Sequence, residues 1–262
     1  MNDIIKSVNY QIRRDNFTVY AAILGILCAL SGFLDAADDV LEMSGGAYVA
    51  SDLFRQAASM MPLVVLFMCT RICGWDFNDK TINYDVLYGH RKYEVFFGRV
   101  IPAVAWSISF SFVLLILPVV VLTVKNGWGQ QAEFLPLLAR LALMLLPLLR
   151  VACEMILLTF LLRNCYLALI AGYFTLFIPF VISTFVQEYS SSVTLSWQFS
   201  ISNIEQLFNL NARMGFIDGK DVVVYDTAIS AGLLVGTIAA SIVMSAASLL
   251  VGLALFRKKD MR

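Results

Sequence analysis

The sequence predicts an all-α integral membrane protein, and three observations carry that prediction. Of 262 residues, 60% are hydrophobic and only 15% charged, where a soluble domain carries about a quarter charged residues. The apolar residues gather into blocks of about 20, the length that crosses a bilayer as a helix. The charges that remain are segregated. Lys6, Arg13, Arg14, Arg71, Lys80, Arg91, Lys92, Arg99, Arg163, Arg257, Lys258, Lys259 and Arg262 fall in one alternating set of loops and termini. The opposite set holds Arg55, Lys125, Arg140, Arg213 and Lys220. By the positive-inside rule the first set is cytoplasmic, and with it both termini. The formal net charge is zero, which gives no reason to expect nucleic acid as a partner.

Taken in order, the chain reads as one transmembrane domain over 1–262 with six spans. Ile4, Ile5, Val8 and Ile12 share one face of an N-terminal helix, with Lys6, Asn9 and Arg13 opposite, which predicts an amphipathic helix lying in the membrane interface. The first span covers about 17–34. It is long for a signal peptide and lacks a small-x-small cleavage site, so it is expected to be retained. An acidic loop leads to a second span at about 57–73. The third covers about 100–124, with Pro118 as a candidate kink, the fourth about 134–162, the fifth about 165–186 and the sixth about 227–256. The segment 187–225 is the longest polar stretch and is expected outside the cell, folded onto the membrane.

Residues 74–99 form the main polar interruption between apolar runs. Asp79 is a candidate N-cap for a short helix, since a carboxylate accepts first-turn N–H groups. Gly89 is its candidate C′ residue. Ile82, Val86 and Leu87 are expected on one face, with Tyr84 and Tyr88 four residues apart on a neighbouring one. Two readings stand side by side: an aromatic helix that seats in a partner's groove, or a solvated loop with one helical turn. Arg150 and Glu154, one turn apart, fall near the middle of the fourth span, about 13 residues or roughly 20 Å from its cytoplasmic end. Charges there need partners, and the pair reads either as a polar point on a substrate path or as a packing pair. Small residues in the sixth span, Gly232, Gly236, Ala240, Ser241, Ser245, Ser248 and Gly252, predict close helix packing within the chain or between copies.

Some chemistry is excluded by composition. Gly219-Lys220-Asp221 lacks the spacing and hydroxyl of a phosphate loop. His90 is the one histidine, so neither a His-based metal site nor a Ser-His-Asp set can be drawn. No catalytic residue and no metal ligand is assigned. The odd set of five cysteines, all in or beside apolar runs, reads as buried thiols.

The layout resembles the ABC-2 type permeases, most closely the small permeases of antimicrobial-peptide immunity and export. The motif that carries the resemblance is Asp76-Phe77-Asn78-Asp79-Lys80-Thr81-Ile82, then Leu87-Tyr88-Gly89-His90-Arg91-Lys92, then Phe97-Gly98-Arg99. Lys80 stands where that family has glycine, His90 where it has serine and Arg99 where it has lysine. The resemblance implies a coupling helix at 79–89, with Asp79, Lys80, Thr81, Tyr84, Asp85, Leu87, Tyr88, Gly89, His90 and Arg91 at the surface of a separate ATPase subunit. It implies that ATP and Mg belong to that partner, with no cofactor in this chain. It also implies a second permease subunit, identical or sibling, in the cytoplasmic membrane, and export of an amphipathic or lipid-like substrate such as a peptide. The alternative is a scaffold or sensor subunit that binds a cytoplasmic partner and moves nothing.

Overall fold

A computed structural model describes residues 1–16, 19, 23, 26, 46–78, 81–129, 132–189, 204, 207, 210–217 and 220–258. Most of the expected first span, residues 35–45 of the acidic loop after it, most of 190–209 and the tail beyond 258 lie outside the described residues.

The described chain is mainly helical: α1 (Asn2–Arg14), α2 (Gly46–Asn78), α3 (Ile82–Leu87), α4 (Lys92–Asn126), α5 (Phe134–Leu162), α6 (Cys165–Tyr189) and α7 (Ala231–Lys258). Among the described residues, four stretches are long and apolar enough to cross a membrane: Lys92–Lys125, Phe134–Leu162, Cys165–Ile182 and Ala231–Lys258. The expected span 57–73 is helical throughout, inside the longer α2. This is a membrane-embedded helical protein.

Helix α5 is the hub. It packs against α7, α2, α6 and α4, and it buries 56% of its most apolar stretch, against 22–28% for the other three. Those three turn apolar side chains outward, among them Val113 and Val120 of α4, Phe174 and Ile178 of α6, and Val243 and Leu250 of α7, as surfaces facing lipid do. On α7 the Ser241, Ser245, Ser248 and Gly252 row is turned inward. Gly252 sits beneath the Phe96 ring, so this small-residue face packs within the chain. Hydroxyls inside the helices bond back one turn: Thr70 to the Leu66 carbonyl at 2.7 Å, Thr159 to Met155 at 2.7 Å, and Ser111 to Ser107 at 2.9 Å. That satisfies a polar group where no water competes. The four described cysteines, Cys69, Cys73, Cys153 and Cys165, are free and buried.

Two findings depart from expectation. The apolar face of α1, with Ile4, Val8 and Ile12 buried, packs on α4 rather than on lipid. A Cβ at Gly98 would lie 2.8 Å from Ile4 Cγ2, and Trp106 Nε1 donates to Asn9 Oδ1 at 2.8 Å. The second is a β-hairpin in the long polar segment. Strands β1 (Asn211–Ile217) and β2 (Lys220–Asp226) pair antiparallel from Asn211↔Asp226 to Ile217↔Lys220, a small addition to a mainly helical chain that fits the expected all-α class. Lys220 and Asp221 begin a strand, not a phosphate loop.

Candidate partner-docking site

The short helix forms two residues later than its candidate cap implied. Asp79 and Lys80 lie outside the described residues, and Thr81 stands at the N-cap. The Thr81 hydroxyl does not cap the helix; it donates to Asp76 Oδ1 at 2.9 Å. The other end follows the sequence. Gly89 takes φ +90°, its N–H reaches the Val86 carbonyl at 3.1 Å, and the His90 N–H reaches the Asp85 carbonyl at 3.2 Å. Those two bonds make a Schellman motif, which needs a left-handed residue at Gly89.

At 100° per residue, α3 has two distinct faces. Ile82 is buried and Val86 partly so, both packed into the bundle. Tyr84, Leu87 and Tyr88 point away from it, 59%, 79% and 84% exposed. Leu87 is therefore on the tyrosine face, not with Ile82 and Val86 as expected. Two tyrosines and a leucine on one small helical surface make a compact apolar patch with hydroxyls at its edge, a composition suited to protein contact.

A buried ion cluster holds this patch in place. Arg99, about two turns into α4, pairs with Asp76 of α2 and Asp85 of α3. Its Nη2 is 2.5 Å from Asp85 Oδ2. Asp76 and Arg99 are both buried. Burial pushes the Asp85 carboxyl above its ordinary value, and His90 pulls it back. One guanidinium thus ties the helix before α3, α3 itself and the helix after it into one body. Asp85 spends its charge inside the protein rather than at the exposed surface. His90 Nδ1 lies 3.9 Å from Glu94 Oε2, and the Glu94 carboxylate accepts from the Arg91 N–H at 3.2 Å, which caps α4. The Arg91 side chain, three residues beyond Tyr88, is exposed.

Other described members of the basic set lie near this end of the bundle. Lys92 Nζ donates to the Arg257 carbonyl at 3.1 Å, and Asn78 Oδ1 accepts from the Cys165 N–H at 3.3 Å, beside Arg163. Phe96, Phe160 and Phe256 meet beneath, with ring centroids 4.7 to 6.0 Å apart. No family model and no curated protein matches the chain.

Arg150 and Glu154 stand apart from this surface. Both lie on the buried side of α5, Nε to Oε1 at 3.6 Å. Among the described residues no group of three or more His, Cys, Asp or Glu could hold a metal ion. Sequence reading missed two architectural arrangements. The pairing of Asp76 and Asp85 with Arg99 spans a turn, and no periodicity signals it. Arg140, near the start of α5, donates to the carbonyls of Thr227 at 3.0 Å, Leu207 at 2.5 Å and Ala228 at 2.5 Å. An arginine one turn and a half inside an apolar helix was the signal for that clamp.

Proposed function

We propose that the chain is the permease subunit of an ATP-binding-cassette exporter, with α3 as the coupling helix that seats in a groove of a separate ATPase subunit. The observation that carries this is the exposed Tyr84–Leu87–Tyr88 face on a helix tied at its base to both neighbouring helices. A docking surface that transmits movement must not swivel, and the Arg99 cluster supplies that stiffness. A rigid-body motion of the ATPase would then tilt α2 and α4 together.

In this reading six spans cross the cytoplasmic membrane with both termini and α3 on the cytoplasmic side, as the clustered basic residues favour. Two permease subunits, identical or sibling, and two ATPases form the complex. ATP and Mg bind the partner, and this chain hydrolyses nothing. The cargo is amphipathic or lipid-like, an antimicrobial peptide being one such molecule. Arg91, three residues beyond Tyr88, faces an acidic group of the ATPase or lipid headgroups.

The test uses the tagged chain purified from its native host. An ATPase is expected to copurify, and Tyr84→Ala with Tyr88→Ala is expected to weaken that association and abolish permease-stimulated ATP hydrolysis. Both side chains are exposed, so the fold is unaffected. Intact assembly and stimulation would remove α3 from the interface. Consistent purification without any ATPase favours the scaffold or sensor alternative.

A further inference from the structure

Between α1 and the last turns of α2 lies a cavity of about 490 Å3, within the roughly 300–1,000 Å3 range of small-ligand sites. Tyr10, Arg14, Asp15, Arg71, Trp75 and Asp76 are among its walls. Arg71 is held in two directions. Its guanidinium lies over the Trp75 ring, 3.7 Å from the centroid, and donates to Asp15 from Nε and Nη2 at 3.2–3.3 Å. Arg14 is exposed, donates to the Tyr10 hydroxyl at 2.6 Å and leans over that ring at 5.7 Å. Asp76 borders the cavity but gives its carboxylate to Arg99 and Thr81. Among the described residues, the guanidiniums of Arg14 and Arg71 and the carboxylate of Asp15 thus face one cavity.

The position selects the ligand. The cavity is at the end of the bundle that carries α3 and the basic cluster, so it lies at a membrane–water boundary whichever way the chain is inserted. An anionic phospholipid is the solute concentrated there. Its phosphodiester carries one negative charge and two acceptor oxygens that match a guanidinium fork. Tryptophan and tyrosine prefer that depth, with the ring against carbon and the polar atom toward water. Basic pockets beside spanning helices recognise anionic headgroups on this principle.

We propose that this cavity binds the headgroup of one anionic phospholipid, with the phosphate on Arg71 and Arg14 and the glycerol carbons against Trp75 and Tyr10. The bound lipid bridges α1 and α2. The proposal requires only membrane embedding, not an ATPase partner.

The test titrates delipidated full-length protein in neutral detergent with phosphatidylglycerol, phosphatidylcholine or inorganic phosphate. Bound lipid is counted by native mass spectrometry and stability followed by thermal unfolding. One phosphatidylglycerol per chain is expected, with a raised Tm that phosphatidylcholine and inorganic phosphate do not reproduce. Arg14→Glu changes an exposed residue and reverses its charge. It should keep the lipid-free Tm and weaken phosphatidylglycerol binding about tenfold or more, since one charge-assisted bond is worth about 1.5–3 kcal/mol. Arg71→Lys keeps the charge but loses the fork, and should also weaken it. Equal stabilisation by phosphatidylcholine or inorganic phosphate would overturn the proposal, as would unchanged binding by Arg14→Glu. ATPase association through Tyr84 and Tyr88 is read separately and is unaffected by either result.

Discussion

Arg99 Nη2 lies 2.5 Å from the Asp85 carboxylate, so the helix that carries the exposed Tyr84, Leu87 and Tyr88 is anchored by a buried cation. Because the same guanidinium also holds Asp76, removing it leaves two carboxylates facing each other, one of them buried. Arg99→Met should cost about 3–5 kcal/mol, the range for stranding a buried ion. Asp85→Asn should cost much less, because Asp76 still neutralises Arg99 and the Asp85 side chain is partly in water. A double-mutant cycle by thermal unfolding checks this. The two changes should be strongly non-additive, as expected of groups in one network, and simple additivity would dissolve the cluster as a unit.

The packing of α1 on α4 makes a second prediction. A Cβ at Gly98 would meet Ile4 Cγ2 at 2.8 Å, and the obstacle is a side chain on a short terminal helix. Gly98→Ala should destabilise by about 1–3 kcal/mol, the usual cost of overpacking. Ile4→Ala in the same chain should recover part of the loss. At Gly74 the added Cβ would meet the Cys165 Cα at 2.9 Å, which is backbone, so Gly74→Ala should have no such suppressor. Thermal unfolding of the three variants is the measurement.

These contacts also mark how far the sequence could be read. Periodicity identified Ile4, Val8 and Ile12 as one apolar face, but a face states only that something apolar covers it. An interfacial position was expected, and α4 is what covers that face. Helix α5 runs over Phe134–Leu162, the bounds expected of the fourth span, and stops where Arg163-Asn164 closes a mainly apolar run. Helices α2 and α4 run past their apolar windows, since helical hydrogen bonding continues through polar ends such as Trp75–Asn78. Gly89 was legible because few residues tolerate φ +90°. The Asp76–Arg99–Asp85 cluster was not, because it depends on how a turn folds back. The hairpin did leave a signal: Asp218-Gly219 before Val222-Val223-Val224-Tyr225 is a turn dipeptide followed by a β-branched run, outweighed by the polar composition around it.

Arg140 predicts the behaviour of the long segment before α7. Its three carbonyl acceptors, on Leu207, Thr227 and Ala228, come from both ends of the hairpin region, so one side chain gathers that segment onto α5. Charge-assisted bonds of this kind contribute about 1.5–3 kcal/mol each. Arg140→Met should make the 204–228 region more accessible to protease and speed amide exchange there, while α2, α4 and α6 stay protected. Arg140→Lys should fall between, because one ammonium cannot reach all three carbonyls. Unchanged proteolysis in Arg140→Met would show that the hairpin is held by other contacts.

The Arg150–Glu154 pair predicts which of its two readings holds. Both charges are on one helix, one turn apart, so together they leave no net charge on α5. If they serve packing, neutralising both should be mild, whereas Arg150→Met alone should cost about 3–5 kcal/mol by stranding a carboxylate away from water. The pair Arg150→Met with Glu154→Gln should therefore be more stable than Arg150→Met alone, as read by thermal unfolding in detergent. Substrate export by the double variant then separates the roles. Preserved export would make the pair a packing device of α5, and lost export from a stable protein would put it on the path of the cargo.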